Sequence, residues 1–381
     1  MTHSLPAGWQ EVKLKDICNI QDGIHTTPNY VNKGIRFISV ENINNIYSSN
    51  KFISNEDYNN LYKVKAKKND IFMTRIGDIG TPAIVTKDEE LAYYVTISLL
   101  SNINKKIYYK YLYYIIQSYS FQRELYARTL HVAFPKKINL GEIGECKFIS
   151  PPLDEQKRIA SVLSLCDEAI ENLNKLIYKK ELYKKGVMQR VLTGEERFEG
   201  FTDEWKEIKI SELVQKNIIF IEKGKAISKN KIIEGNIPVI AGGKIPAYYH
   251  SEYTHDFPCI TISASGSAGY VWFHNYKIWA SDCNVLYTEN KKYNINFLYY
   301  YLNHIQEYIY NLQIGGVQPH VYAKDIITLT VPNIGIEEQN KIASFLSLID
   351  GDIDNLKKLL ELRKEQKKGL MQRLLTGEIR I

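Results

Sequence analysis

The sequence predicts a mixed α/β (α+β) molecule. Two globular domains are joined by two long antiparallel coiled-coil helices, with internal pseudo-two-fold symmetry. Three observations predict this. One segment occurs twice, at Gln156–Phe198 and Gln339–Ile381. Each copy has apolar residues at helical heptad spacing. Each copy follows a body of short strand-like runs broken at glycine turns. A segment repeated within one chain is one structural unit used twice.

Length and composition agree with two soluble domains. At roughly 150 residues per domain, 381 residues suit a pair. Apolar content of 44% and charged content of 24% supply ordinary cores and argue against disorder. A net charge of +6 permits a nucleic-acid partner without requiring one. The five cysteines (Cys18, Cys146, Cys166, Cys259, Cys283) form no C-x-x-C pair and are odd in number. Neither a disulfide framework nor a zinc site is expected, which suits a reducing cytosol. The start, MTHSLPAGWQEVKLKD, has no signal-type apolar core, and no run approaches a membrane span. The expected location is cytoplasmic, with no membrane partner.

The elements follow in order. The first body, residues 1–150, opens at Trp9 in GWQEVKLKDI. Its run DIFMTRIGDIGTPAIV, from Asp70, reads as a strand leading into a G-x-x-G turn at Gly77 and Gly80. Pro151-Pro152 then punctuates the start of the first long helix and linker, residues 151–200. The second body, 201–333, repeats the frame. Trp205 stands in EWKEIKISEL, CITISASGSAGYVWF starts at Cys259, and its turn is at Gly266 and Gly269. Pro332 and Gly335 precede the second long helix, 334–381. Between these landmarks the bodies differ strongly. Similar frames with dissimilar contents suggest two readers of one build with different targets.

The repeated segments align without a gap, and about 24 of 43 positions are identical. The first carries Ile159, Leu163, Cys166, Ile170, Leu173 and Ile177 at alternating steps of four and three. The second carries Ile342, Leu346, Ile349, Ile353, Leu356 and Leu360. That spacing is a coiled-coil seam. Thr193-Gly194 and Thr376-Gly377 read as helix stops. About 38 residues at 1.5 Å each give a rod of about 57 Å. Such a rod with one narrow apolar stripe needs a partner. The second body lies between the rods in sequence, so the second rod is expected to return antiparallel to the first. The stripe continues through Lys180, Lys184, Arg363 and Lys367, with Asp167 and Asp350 near the helix starts. An antiparallel pair predicts Lys180 beside Asp350 and Arg363 beside Asp167. The stretches Lys175–Arg190 and Lys357–Arg373 each carry about +5 and suit either phosphate or solvent.

Sequence signatures of catalysis are missing. There is no G-x-x-x-x-G-K-[ST] loop, no G-x-G-x-x-G after a strand, and no Asn-Pro-Pro-aromatic motif. No H-x-E…C-x-x-C metal signature occurs. His25, His131 and His320 have no paired acid or nucleophile nearby in sequence and read as structural or contact residues. The expectation is a chain with no catalytic site, no metal and no cofactor of its own.

A resemblance sharpens the reading. PPLDEQKRIASVLSLCD and PNIGIEEQNKIASFLSLID, with KKGVMQRVLTGE and KKGLMQRLLTGE, resemble the two conserved regions of type I restriction-modification specificity subunits. LPAGWQEVKLKDI and EWKEIKISEL resemble the starts of that family's two target-recognition domains. The resemblance covers essentially the whole chain. It implies that each body reads one half of a bipartite, asymmetric site on double-stranded DNA while the helices set the spacer. It implies two methyltransferase (M) subunits, which bind S-adenosylmethionine and methylate an adenine in each half-site. It also implies two restriction/translocase (R) subunits that use ATP and Mg. A 57 Å rod spans about 17 base pairs, enough to reach successive major grooves. One departure is that PNIGIEEQ is two residues longer than PPLDEQ, which is expected to shift the second junction. Two other readings are a coiled-coil adaptor without DNA specificity and an enzyme with an unrecognised site. Salt-dependent DNA affinity separates the first from a reader, and S-adenosylmethionine binding by the isolated chain would mark the second.

Readout needs side chains suited to base edges. In the first body the candidates are Gln21, His25, Thr26, Thr27, Asn29, Tyr30, Arg75 and Asp78. In the second they are Lys223, Lys225, Ser228, Lys229, Ser263, Ser265, Ser267, Gln318 and His320. His131 and Phe134 before Pro135, like Val317 before Pro319, read as scaffold.

Overall fold

Ile71–Thr74 is rich in strand-forming residues and forms a buried inner strand of a four-stranded antiparallel sheet. The computed structural model describes residues 5–289, 292–315 and 319–381. In the first body the sheet order is Asn19–Asp22, Ile97–Ser101, Ile71–Thr74, Pro82–Ile84. Both inner strands are buried at every position, so both faces are covered. Alternation sends successive side chains to opposite faces. Ile71, Met73 and Leu100 join the helices on one side. Phe72, Ile97 and Leu99 meet a second sheet on the other. That sheet has three strands, ordered Phe52–Ile53, Ile35–Ile38, Leu91–Tyr93, with the last pair parallel. A ribbon pairs Gln10–Lys13 with Lys147–Ser150 and closes the body beside the long helix.

The second body repeats this plan strand for strand. Its four-stranded sheet is Phe220–Lys223, Cys283–Tyr287, Cys259–Ser263, Val271–His274. Its three-stranded sheet is Tyr248–His250, Ile237–Ile240, Trp279–Ala280, again with the last pair parallel. Lys206–Lys209 pairs with Thr330–Asn333 as the closing ribbon. The G-x-x-G turns match too. Gly77, Gly80, Gly266 and Gly269 have φ of +83°, +91°, +63° and +84°, a region that suits glycine. The Gly80 and Gly269 carbonyls accept from the side chains of Gln122 and Gln306, each at 2.8 Å.

The repeated segments form helices Leu153–Leu192 and Ile336–Leu375, 40 residues each. Acids occupy both first turns and an arginine both last turns, as the helix dipole favours. The chain divides into two compact units, and the division falls within both helices: Lys175–Lys358 is one unit and the remainder is the other. In the first unit, Ile159, Ala160 and Leu163 share a core with Leu374 and Leu375. In the second, Ile342, Leu346, Ile349 and Ile353 pack with Val187, Met188, Val191 and Leu192. Within each unit, the start of one helix therefore lies along the end of the other, which is antiparallel pairing. The remaining seam residues Cys166, Ile170, Leu173, Ile177, Leu356 and Leu360 are buried or half-buried.

The ion pairs across this seam form one helical turn beyond the expected partners. Lys184, not Lys180, reaches Asp350 at 2.5 Å, and Lys367, not Arg363, reaches Asp167 at 2.5 Å. Lys180 takes Asp352 instead at 3.0 Å, and Arg363 donates to Gln366 at 2.9 Å. The reason lies in the bodies. The Tyr114 hydroxyl donates to Asp167 at 2.7 Å and the Tyr300 hydroxyl to Asp350 at 2.8 Å. Lys367 and Lys184 lie over those same rings, at 5.5 and 5.4 Å.

The junctions match in length, so the expected shift is absent. In both halves two residues separate strand from helix: Pro151-Pro152 in the first, Ile334-Gly335 in the second. Pro332 lies inside its strand, and its carbonyl accepts from the Tyr293 hydroxyl at 2.7 Å, as the Ile149 carbonyl accepts from Tyr111 at 2.8 Å. Each junction is centred on a buried glutamate. Glu155 receives Trp9 Nε1 at 3.3 Å and Arg380 at 3.0 and 2.8 Å. Glu338 receives Trp205 Nε1 at 3.3 Å and Arg197 at 2.9 Å twice. The Arg380 guanidinium holds the Glu155 carboxyl below its ordinary pKa. Among the described residues no helix is long and apolar enough to cross a membrane.

Candidate nucleic-acid interface

Two loops leave corresponding places in the two bodies. The strand Asn19–Asp22 runs into Gly23, where a Cβ would lie 1.9 Å from the Tyr93 carbonyl oxygen. The strand Phe220–Lys223 runs into Gly224, where a Cβ would lie 2.2 Å from the Ser281 carbonyl oxygen. Each loop ends at a second such glycine. A Cβ on Gly34 would meet the Ile53 carbonyl oxygen at 2.1 Å, and one on Gly235 the His250 carbonyl oxygen at 2.3 Å. Close backbone approach demands glycine at all four positions. Residues 24–33 and 225–234 are therefore loops of equal length held in like frames. Their contents, IHTTPNYVNK and KAISKNKIIE, are unrelated. The paired G-x10-G spacing is the signal in the sequence that would have found them.

In the first loop His25, Thr26, Thr27, Asn29 and Tyr30 are exposed. His25 Nε2 lies 3.0 Å from Asp22, and Tyr30 meets the Phe37 ring edge-on at 5.6 Å. Asp78 is exposed on its turn and accepts from Thr74 at 3.1 Å. Gln21 is half-buried and donates to Ser101 Oγ at 3.1 Å. Arg75 is held inside the body. It is 7% exposed and donates to Asp22 at 2.9 Å and to the Val95 and Ile138 carbonyls at 3.1 and 3.2 Å. Burial lowers its pKa while Asp22 pushes it back up. Arg75 ties Asp22, in the strand that leads into the loop, to Val95 and Ile138.

In the second body Lys223, Lys225, Ser228 and Lys229 are exposed. Lys225 lies over the Trp279 ring at 5.4 Å and Lys229 over Tyr248 at 5.9 Å. The serines near Gly266 make bonds within the body. Ser263 is 3% exposed and bonds the Ala241 carbonyl at 3.4 Å. Ser265 donates to the Asp282 carboxylate, and the Ser267 N–H donates to the Gly242 carbonyl at 2.6 Å. They tie the G-x-x-G turn to its neighbours. His320 is half-buried and stacks on Tyr322 at 5.9 Å. Gln318, like Val317, lies outside the described residues.

His131 and Phe134 were expected as scaffold; His131 is exposed but packs on the Tyr126 ring, whereas Phe134 is wholly exposed. Burial pushes the Cys18, Cys146, Cys259 and Cys283 thiols up to about 12, so none is a ready nucleophile. Among the described residues no three His, Cys, Asp or Glu side chains are grouped to hold a metal.

Comparison with known proteins decides the family. The model of the type I restriction modification DNA specificity domain matches twice, at residues 6–180 and 202–364. The chain belongs to this family. It is a non-catalytic DNA-recognition subunit of a type I restriction-modification complex. A putative type I restriction enzyme specificity subunit, MjaX of Methanocaldococcus jannaschii, is 28% identical over 99% of this chain and 95% of its own length. The MjaVIII specificity subunit of the same organism is 26% identical over 61% of each chain. The S subunit of a type I restriction-modification system from M. genitalium shares the fold, with a TM-score of 0.66 at 19% identity over 98% of both chains. A chain from a structure of type I complex assembly and conformational transition has a TM-score of 0.62 at 15% identity, covering 99% of this chain and all of that one.

Proposed function

We propose that each body of this specificity subunit reads one half of a split, asymmetric DNA site, chiefly through its glycine-framed loop. The observation that carries this is a shared frame with unlike contents. A common frame presents both loops alike, and different side chains then select different bases. The paired helices set the distance between the half-sites. Two methyltransferase subunits dock on this chain and supply S-adenosylmethionine. Two restriction/translocase subunits supply ATP- and Mg-dependent motor and nuclease activity, and the assembly works in the cytoplasm. A map of methylated adenines in cells expressing this chain with its methyltransferase partner tests the reading. The expected result is one motif with two dissimilar half-sites and a fixed unspecified gap. A continuous motif, a palindrome or scattered methylation would overturn it.

A further inference from the structure

Val132 and Phe134 stand apart among the exposed apolar side chains of the described residues. Their relative exposures are 99% and 104%, against 77% for the next, Tyr119. They sit two residues apart on the loop from Leu130 to Lys137, and this loop has a firm stem. The Leu130 N–H donates to the Lys137 carbonyl at 2.8 Å, and the Gly77 N–H donates to the Lys136 carbonyl at 2.8 Å. Ile76 and Lys137 pair as an antiparallel bridge. His131 packs on the Tyr126 ring at 4.3 Å and bonds the Tyr126 carbonyl at 2.9 Å. A single exposed apolar residue is ordinary. Two of them, wholly in water on a braced tip, are positioned for something that covers them.

The surroundings say what that is. Exposed Lys136 and Lys137 follow the tip. Beside the stem lies a depression of about 330 Å³ lined in part by Arg123, His131, Lys136 and the rings of Tyr119 and Tyr126. None of the residues lining it is acidic. Glu124 and Glu142, on neighbouring helices, are engaged by Arg128 at 3.5 and 3.2 Å. Asp78, exposed between the lining residues Gly77 and Ile79, accepts from Thr74 at 3.1 Å. A surface carrying Arg123, Lys136 and Lys137 and rimmed by tyrosines complements phosphates and base faces. An apolar residue projecting from such a surface matches the wedges that some DNA-binding proteins push between base pairs, opening one step and bending the duplex.

We infer that Phe134, backed by Val132, enters the base stack at the half-site read by the first body, with Lys136 and Arg123 on flanking phosphates. This rests on the reading of the body as a DNA reader. The wedge is assigned to one half-site only. In the second body, residues 316–318 lie outside the described residues.

The test uses the full chain and a duplex carrying its methylated motif, with 2-aminopurine placed at successive positions of the first half-site. Wild-type chain should raise the fluorescence several-fold at one step. Phe134→Ala should abolish that rise and weaken binding roughly 5- to 100-fold, with thermal stability and methyltransferase capture unchanged. Phe134→Leu should restore part of both. Tight sequence-specific binding with no responsive position would sink the wedge and leave the DNA reading intact. Loss of methyltransferase capture by Phe134→Ala, with DNA affinity unchanged, would make the loop a protein contact and also overturn it. Equal affinity for the motif and a scrambled duplex would remove the DNA reading, and the wedge with it.

Discussion

His274 is buried between Thr261 Oγ1 at 2.8 Å and the Tyr276 hydroxyl at 3.2 Å. Burial lowers its pKa from the ordinary 6.5 to about 3. Between those values the unfolded chain binds a proton that the folded chain refuses, so stability rises with pH through the window and is complete above it. The expected loss is roughly 1.4 kcal/mol for each pH unit below 6.5. Urea unfolding of wild type and His274→Gln, compared at pH 7.5 and 5.5, checks this, since the variant should lose less stability on acidification. An equal loss would place the acid sensitivity elsewhere. At this scale the sequence was only partly legible. Arg75 and Ser263 have the right side chains for base edges. What makes them braces is a carboxylate, carbonyls and burial contributed by residues distant in the chain. Phe134 fails in the opposite sense. Next to a proline it reads as scaffold, yet on its pinned stem it stands in water.

At the scale of elements, the heptad seam was legible because its period is local. Register was not, because it is set from outside the helices. Tyr300 comes from the second body and fixes the Asp350 carboxylate where Lys184 rather than Lys180 reaches it. Removing that hydroxyl should therefore cost more than one neutral hydrogen bond. Tyr300→Phe is expected to lower stability by roughly 1.5–3 kcal/mol, the range for hydrogen bonds to charged groups. A double-mutant cycle with Lys184→Ala, followed by urea unfolding, should show coupling, because both side chains hold one carboxylate. Additive effects would mean that hydroxyl and ammonium act independently. The junction glutamates make the same point. Trp9 and Trp205 were visible as landmarks, but their bonds to Glu155 and Glu338 reach across more than a hundred residues.

At the scale of the whole molecule, duplication separates what must stay constant from what is free to vary. Strand order, parallel pairs, turn glycines and junction glutamates recur in both bodies. Residues 24–33 and 225–234 do not recur, although the glycines around them do. A scaffold that fixes backbone and frees side chains at one place confines specificity to that place. Writing KAISKNKIIE in place of residues 24–33 keeps loop length and both framing glycines. The expected product folds, captures its methyltransferase partner, and methylates a motif altered in one half-site only. The second half-site and the gap should persist, because neither the second body nor the helices have changed. Each lost base contact should weaken recognition of the original half-site by roughly 1–3 kcal/mol, so losing two or more should lower methylation of the old motif at least about ten-fold. The methylated-adenine map of cells carrying the exchanged chain reads all of these outcomes together. An unchanged motif would locate recognition outside the framed loops. Changes in both halves would mean that the bodies do not read independently, which their separate cores predict they do.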